Sequence, residues 1–269
     1  MDYSADQTRQ FLQDHALEAN PRQAFAFDGG PSPSGAAFAW HMHSHHQLLY
    51  APQGAVTVES SFRRYLLPPQ RAGVIGAGTL HRTVVAADGK PAYSISVFFA
   101  PDFALTLSEG VHTMTASPLL RELITLVSQW GPEHEVSPVS ESCFRSLALL
   151  CRDWISAPVP FWLPRTDHPA IQKSLLFVDE HLDSANEPGA ARAAAMSERN
   201  FRRQFAASVG ITWREYLLRA RMMRAADLLG SSDRSVDDIA WETGYRSVSA
   251  FTHAFREFSG EAPAAFRRH

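Results

Sequence analysis

Residues 197–266 contain an internal repeat whose two copies are fifty residues apart. In each copy a serine is followed by aromatic residues four and eight positions later, and then by a glycine. The copies comprise Ser197, Phe201, Phe205, Gly210 and Tyr216, and then Ser247, Phe251, Phe255, Gly260 and Phe266. Serine is a favoured N-cap, the aromatic spacing places the rings on one helical face, and glycine ends helices. The repeat therefore predicts two capped amphipathic helices of the same design.

A shorter helix is predicted before each repeated helix. In the second copy it spans residues 236–243, with Ser235 as its cap and Gly244 in the turn that follows. In the first copy it spans residues 188–194, the turn is one residue shorter, and Ala195 stands where the second copy has Gly244. A helix, a short turn and a second helix form the arrangement that places its second helix in the major groove of DNA. Residues 213–229 have helical spacing and predict a long helix between the two units.

Residues 166–269 resemble the DNA-binding domain of the AraC/XylS family of bacterial transcription regulators. The stretch 238–268 resembles the family signature along its length. The resemblance implies two recognition helices that enter successive major-groove segments on one side of a duplex. It also implies a role in activating or repressing promoters, with operator DNA and RNA polymerase as partners.

The first recognition helix carries the stronger candidates for DNA contact, which are Arg199, Asn200, Arg202 and Arg203. The three arginines lie at i, i+3 and i+4 and so share one face, opposite the phenylalanine stripe. Arginine forks match guanine edges and phosphates. The alternative for such a charge run is a solvated basic face. Within this motif, DNA contact by at least two of the arginines is the favoured interpretation.

The second recognition helix has weaker candidates, which are Val248, Ser249, Thr252, His253 and Arg256. In the resemblance, an arginine commonly stands at the position of His253 and a polar residue at that of Val248. A small apolar side chain at position 248 can still contact a thymine methyl group. Four further arginines are predicted to hold phosphates, namely Arg246, Arg256, Arg267 and Arg268.

Charge and cysteine content agree with a specific DNA-binding protein. The 269 residues carry a net charge of −3, which argues against an indiscriminate nucleic-acid binder. Residues 168–269 hold 14 basic and 13 acidic residues, against 11 and 15 in residues 1–167. Cys143 and Cys151 lie in one helical segment and are predicted to be reduced core thiols. We expect a cytoplasmic protein without a signal peptide, a membrane span or a membrane partner.

The N-terminal half has short β-rich runs separated by turn residues. The runs cover residues 47–51, 56–58, 71–75, 83–85 and 93–99, and residues 29–35 are predicted to form a loop. Several short strands at this spacing predict a small β-barrel or sandwich.

Four of the twelve histidines lie within residues 41–46. The spacing of His41, His43 and Gln47 resembles the first motif of the cupin family, a jelly-roll barrel, and Gly76 to His81 resembles the second. In the resemblance, His41, His43, Gln47 and His81 point into the barrel, where they would bind a divalent metal such as Zn, Fe or Ni. Gln47 replaces the usual carboxylate, and Gly76 replaces the usual proline. The alternative is a polar cavity that binds a small molecule or has no ligand. One of the neighbouring His45 and His46 is predicted to lie on the surface.

Two amphipathic helices are predicted between barrel and DNA-binding domain, over residues 117–130 and 140–156. They either cap the barrel or pack against a second subunit, and a homodimer is the favoured assembly. Residues 157–164 are predicted to be the interdomain linker. The predicted fold is therefore multidomain, an N-terminal all-β cupin (jelly-roll) barrel and a C-terminal all-α double helix-turn-helix domain. The boundaries are 1–115 for the sensor barrel, 116–165 for the helical dimerisation segment and linker, and 166–269 for the DNA-binding domain.

Two functions from different classes compete at this point. The first is a sequence-specific regulator of transcription whose cupin domain senses a small molecule or a metal ion. The second is a cupin metal-dependent enzyme or small-molecule binder whose helical C-terminal part serves assembly. The arginine group beside the capped repeat favours the first, and we expect no catalytic residues. Trp40, Tyr50, Arg71 and Tyr93 are candidates to face an effector in the barrel.

Overall fold

The computed structural model describes residues 3–14, 20–85, 91–155 and 160–267 of the 269-residue chain. The described residues form two compact units. The first contains residues 3–60 and 65–155, and the second contains residues 61–64 and 160–267. None of the helices in these segments is long and apolar enough to cross a membrane.

The first unit is built from a short helix and eight strands, and the fourth strand begins with two residues of the second unit. These elements are α1 (Ala5–Asp14), β1 (Ala24–Ser32), β2 (His46–Gln53), β3 (Val56–Ser60), β4 (Arg63–Leu67), β5 (Arg71–Ile75), β6 (His81–Val85), β7 (Ala92–Phe99) and β8 (Val111–Thr115). Each of the five predicted β-rich runs lies within one of these strands. The strands β1, β4 and β8 were not predicted.

The strands form two facing sheets, as expected for the cupin-type class. One has the order β1-β7-β2-β5-β8, and the other contains β6, β3 and β4 as neighbours. The β2 strand pairs with β7 through Leu48 opposite Val97, and with β5 through Gln47 opposite Ile75. Because side chains alternate along a strand, each strand of the five-stranded sheet presents its residues to two different faces.

One face of the five-stranded sheet packs against two helices, α2 (Pro118–Val127) and α3 (Pro138–Trp154). Their apolar stripes share a core with the alternate strand residues, including Leu48, Val97, Leu120 and Leu147. The α3 helix begins before Ser140, where its start was predicted. Ser137 and Ser140 form a reciprocal capping box, and Pro138 occupies the first turn, where its missing N–H costs nothing.

The predicted loop over residues 29–35 is confirmed only for residues 33–35, because β1 continues to Ser32. The pairing of β1 with β7 shifts between Asp28 and Gly30, and Gly30 has a φ of 62°. A bulge at an edge strand tolerates glycine and proline because the strand has a partner on one side only. The glycine and proline residues therefore correctly indicate an irregular backbone, but the irregularity lies in a bulged strand as well as in a turn.

The second unit is helical apart from a three-residue strand. Its elements are β9 (Trp162–Pro164), α4 (Pro169–Glu180), α5 (Glu187–Ala193), α6 (Glu198–Val209), α7 (Trp213–Ser231), α8 (Val236–Glu242), α9 (Val248–Ser259) and α10 (Pro263–Arg267). The long α7 helix lies between the two helix-turn-helix units, as predicted, and contacts α4, α6, α8, α9 and α10.

The described part of the predicted linker contributes to the core of the second unit. Phe161 is fully buried, and its ring packs on Phe258 and Phe266 at centroid distances of 5.1 and 5.9 Å. Residues 156–159 lie outside the described residues.

Candidate functional site

The two repeated helices, α6 and α9, have the same caps and the same length of twelve residues. The side chain of Ser197 accepts a hydrogen bond from the backbone N–H of Asn200, and Ser247 accepts one from Ala250. Both helices end at a glycine in the left-handed conformation, with φ of 79° at Gly210 and 88° at Gly260. The caps and stops predicted from the repeat are therefore confirmed.

The two upstream helices, α5 and α8, end in the same hydrogen-bonded turn. The N–H groups of Ala195 and Met196 donate to the carbonyl oxygens of Arg192 and Ala191, both at 2.9 Å. Forty-nine residues later, Gly244 and Tyr245 donate in the same way to Trp241 and Ala240, at 3.0 and 2.9 Å. This is the Schellman ending, which requires a left-handed residue after the helix. Ala195 supplies it at φ 53°, and Gly244 at φ 80°.

Buried aromatic rings fix which face of each recognition helix is exposed. Phe201 and Phe205 are fully buried, and both rings lie against Trp213 at 5.5 and 5.6 Å. In the second copy, Phe251 and Phe255 are fully buried, and Phe255 lies 5.2 Å from Phe266. Since these rings hold one side of each helix in the core, the opposite side remains available for a groove of DNA.

The predicted arginines of α6 lie on its exposed side. Arg199, Arg202 and Arg203 are exposed, and Asn200 is half-buried. The Arg203 guanidinium donates to the amide oxygen of Asn200 at 3.0 Å. Arg202 is also held from another helix, because its Nε donates to the carboxylate of Glu187 at 2.5 Å. Glu187 was missed in the sequence, since nothing local connects the start of α5 to a position fifteen residues later.

The exposed face of α9 carries little positive charge. Ser249, His253 and Arg256 are exposed, while Val248 and Thr252 are half-buried. The imidazole of His253 lies 3.5 Å from the carboxylate of Glu257, so an acidic group shares this face.

The remaining predicted phosphate contacts lie outside this helix. Arg246 is exposed in the turn before α9, and the guanidinium of Arg267 donates to the backbone oxygen of Arg234. Arg268 lies outside the described residues.

The first unit contains a cavity of about 150 Å³ on the other face of the five-stranded sheet. Its walls come from alternate residues of β1, β2 and β7, including Phe27, Gln47, Leu49, Ser96 and Phe98. The α1 helix lies over it and contributes Phe11 and Leu12. The backbone N–H of Ala39 donates to the buried Thr8 hydroxyl at 2.9 Å, which fixes the helix against the strands.

The three histidines of the cupin-like motifs lie together beside this cavity. The ring centroids of His41 and His81 are 4.4 Å apart, and those of His43 and His81 are 5.1 Å apart. His41, His43 and Gln47 line the cavity, whereas His81 is fully buried behind them. The structure thus brings together all four residues that the sequence grouped.

Backbone carbonyl groups fix the tautomer of two of these imidazoles. Nδ1 of His41 donates to Ala39 and Nδ1 of His81 to Thr79, each at 2.9 Å. Both ring nitrogens of His43 face oxygen atoms, the His45 carbonyl at 2.7 Å and the Gln47 amide oxygen at 3.0 Å. In a neutral ring with a protonated Nδ1, Nε2 holds the lone pair. Burial lowers the pKa of all three rings, to about 4 for His43, so that they are uncharged at neutral pH.

The imidazole nitrogens are suitable ligands for a metal ion, but their positions are less suitable. Nε2 of His81 is buried without a hydrogen-bond partner, and Nε2 of His43 lies 3.0 Å from the amide oxygen of Gln47. Neutral imidazoles of this tautomer are ligands for Zn, Fe or Ni. In the part of the chain that the structure describes, however, no three His, Cys, Asp or Glu side chains converge closely enough to hold one ion.

The prediction that one of His45 and His46 lies on the surface is wrong. His45 and His46 are both buried, because His45 bonds to the backbone oxygen of Arg22 and His46 accepts from the N–H of Ala77, each at 2.9 Å. Both side chains therefore stabilise the backbone around the histidine motif.

The candidates for effector contact, Trp40, Tyr50, Arg71 and Tyr93, are not among the described residues that line the cavity. Tyr50 belongs to the helix-facing side of the sheet. The cavity is lined instead by phenylalanines that were not predicted from the sequence.

Comparison with known proteins supports both halves of this description. A model of an AraC-like ligand binding domain matches residues 32–153, and a model of a helix-turn-helix domain matches residues 190–269. The chain belongs to the AraC family of transcriptional regulators. As a member of this family it is a DNA-binding regulator with a ligand-binding domain, and its relatives are regulators rather than enzymes.

Among the relatives of this AraC family member is the HTH-type transcriptional regulator NimR of Escherichia coli strain K12. It is 28% identical over 231 residues, which cover 84% of this chain and 81% of NimR. The HTH-type transcriptional activator RhaS of Escherichia coli O139:H28 is 33% identical over 154 residues. That alignment covers 55% of this chain and about half (53%) of RhaS. The structure of ToxT from Vibrio cholerae O395 aligns with 91% of this chain and 97% of its own, at 10% identity and a TM-score of 0.38.

Proposed function

We propose that this protein is a one-component cytoplasmic regulator in which the barrel cavity binds an effector and the recognition helices read a promoter. The observation that carries the proposal is the pairing, in one chain, of two identically capped recognition helices with a cavity at the histidine motif. Base reading is assigned mainly to Arg199, Asn200, Arg202 and Arg203. The face formed by Val248, Ser249, Thr252, His253 and Arg256 adds weaker readout and phosphate contacts.

The DNA assignment is tested by binding of the full chain to duplexes selected from a random pool. We expect a site of two major-groove segments per subunit, with centres about 34 Å apart. Arg202→Ala should weaken specific binding by roughly 1–3 kcal/mol and relax the preference at one base pair. Arg152→Ala, which removes an exposed arginine from α3, is the control and should leave the selected sequence unchanged. If the Arg202 variant binds both the selected and the random duplexes with wild-type affinity, α6 does not read bases.

We further propose that the protein acts as a homodimer through the outer faces of α2 and α3, and that it contacts RNA polymerase at its promoters. Leu119 and Leu126 of α2 are seven residues apart and remain 54% and 43% exposed, and Leu149 of α3 is 37% exposed. Apolar side chains repeated along one helical face are typical of an interface between subunits. The paired substitution Leu119→Glu and Leu126→Glu should convert dimers to monomers in analytical ultracentrifugation. Leu176→Glu, at an exposed leucine of α4, should not. A wild-type protein that sediments as a monomer at high concentration would refute the dimer.

A metal ion is a second candidate for the ligand, and the orphaned Nε2 of His81 is the observation that favours it. His41, His43, Gln47 and His81 would hold Zn, Fe or Ni as the signal that the barrel senses. Metal analysis of the purified full chain should then show one ion per subunit, and both His41→Ala and His81→Ala should lose it. Equal metal content in the wild type and the double variant would exclude this site.

A further inference from the structure

The residues that line the barrel cavity carry no permanent charge. Of the twenty described residues around it, none is Asp, Glu, Lys or Arg. An ionised ligand would lose its hydration here without gaining a counter-charge, which costs far more than a hydrogen bond returns. The cavity therefore selects against carboxylates, phosphates and amines.

The walls are mostly aromatic and aliphatic. Phe11, Phe27, Phe38 and Phe98 all contribute rings to the lining. Ring faces and edges favour contact with another ring, with centroids 4.5–7 Å apart. The volume of about 150 Å³ limits what fits. An apolar cavity of that size accommodates a benzene-sized molecule, whereas fused-ring compounds exceed it.

The polar atoms in the lining define one further requirement. Because Nδ1 of His41 donates to the Ala39 carbonyl, its Nε2 holds a lone pair, and His41 lines the cavity. A ligand that carries an O–H or N–H group can donate to this atom. One N–H of the Gln47 amide donates to the Ser96 hydroxyl at 2.8 Å.

From these observations we infer that the effector is a small uncharged compound with a single planar ring and one hydrogen-bond donor. This inference rests on the proposed role of the cavity as the effector site. The aromatic walls hold the ring, the volume excludes a second ring, and the lone pair of His41 binds the donor.

Four matched probes test the inference by calorimetric titration of the full chain. Phenol has the ring and the donor, toluene has the same shape without the donor, benzoate adds a negative charge, and 1-naphthol adds a ring. We expect one phenol per subunit, toluene bound up to about tenfold more weakly because it lacks the hydrogen bond, and no binding of benzoate or 1-naphthol. Binding of benzoate or 1-naphthol more tightly than phenol, or of none of the four probes, would overturn the inferred class.

Two variants locate the binding. Leu49→Phe, which extends a lining side chain into the cavity, should abolish phenol binding, whereas Leu176→Phe at an exposed position of α4 should not. His41→Phe should remove the advantage of phenol over toluene, because the acceptor is gone. Phenol binding that is unaffected by Leu49→Phe would place it elsewhere and refute the inference.

Specific DNA binding, measured on the same preparations, separates this inference from the proposed function. A Leu49→Phe variant that still binds its selected duplex shows that the fold is intact. If a charged or larger compound binds wild type and not Leu49→Phe, the cavity remains the effector site and only the ligand class is wrong.

Discussion

Glu187 and Arg202 form the contact between single residues that has the clearest consequence for DNA reading. The carboxylate accepts a hydrogen bond from Nε of the guanidinium at 2.5 Å, and a terminal nitrogen lies 3.7 Å from the carboxylate of Glu198. An exposed ion pair adds little to stability. Its effect is on orientation, because a fixed guanidinium loses less freedom when it forms two bonds with a guanine edge.

We predict that Glu187→Gln weakens discrimination at the base pair under Arg202 and raises affinity for random duplexes, since it also removes a negative charge near phosphates. Glu198→Gln is the matched control. It removes the same charge, but its carboxylate is 3.7 Å from Arg202 and does not hold Nε. Competition binding with single-base variants of the selected duplex measures both. Identical loss of discrimination in the two variants would show that charge alone matters.

The two Schellman turns give a second residue-level prediction. A left-handed conformation costs a residue with a Cβ roughly 1–2 kcal/mol, and Ala195 has this conformation. Ala195→Gly should therefore stabilise the second unit by up to about 1 kcal/mol, after the larger entropy of glycine in the unfolded chain is counted. Gly244→Ala should destabilise it by more than about 2 kcal/mol, because a Cβ there would lie 2.4 Å from the backbone oxygen of Asp183. Denaturant titration of each full-length variant gives both values, and a shift in the same direction for both substitutions would contradict the argument.

At the scale of elements, α6 and α9 are equal in length and capping but differ in chemistry. The exposed face of α6 has three arginines, whereas that of α9 has one, Arg256, beside two small hydroxyl residues and the His253–Glu257 contact. Arginine and asparagine pair bidentately with base edges, but serine and threonine discriminate little between bases. We therefore expect the two helices to be equivalent as scaffold and unequal in how they read bases.

We predict that a logo of duplexes selected by the wild type has sharp positions under α6 and shallow positions under α9. His253→Arg should sharpen the second half, because it adds a fork that can bind guanine. A wild-type logo with equal information in both halves would contradict the prediction.

At the scale of the whole molecule, the cavity and the recognition helices belong to units with separate cores. An effector can alter DNA affinity only if it binds the DNA-competent state with a different affinity from the other states. Coupling of this kind typically amounts to about 1–3 kcal/mol.

We predict that a compound bound in the cavity changes either the DNA affinity or the dimerisation of the full chain by about 5- to 150-fold. Leu49→Phe should retain DNA binding and lose the response. Titration of labelled duplex, and sedimentation with and without phenol, provide the measurements. A bound compound that moves neither quantity would leave a constitutive DNA-binding protein with an inert barrel.

The sequence by itself determined the elements that depend on local interactions. Ser197 and Ser247 cap helices through hydrogen bonds three residues away, and Gly210 and Gly260 end them through a backbone conformation that only local sterics govern. Because these signals are complete within a few residues, the double helix-turn-helix and the family resemblance follow from the amino-acid sequence alone. The grouping of His41, His43, Gln47 and His81 came from motif spacing in the same way.

Tertiary structure alone decided which residues meet across the chain. The cavity wall joins Gln47 of β2 to Ser96 of β7 across an antiparallel register, and a shift of β2 by one residue would send the Gln47 side chain to the helix-facing side. The strands around it are buried on both faces, so alternation in the sequence could not tell cavity from core, and Tyr50 was assigned to the wrong side. The Glu187–Arg202 pair and the buried positions of His45 and His46 likewise depend on partners distant in sequence. Local patterns specify elements, whereas the faces that elements present to one another follow from register and packing.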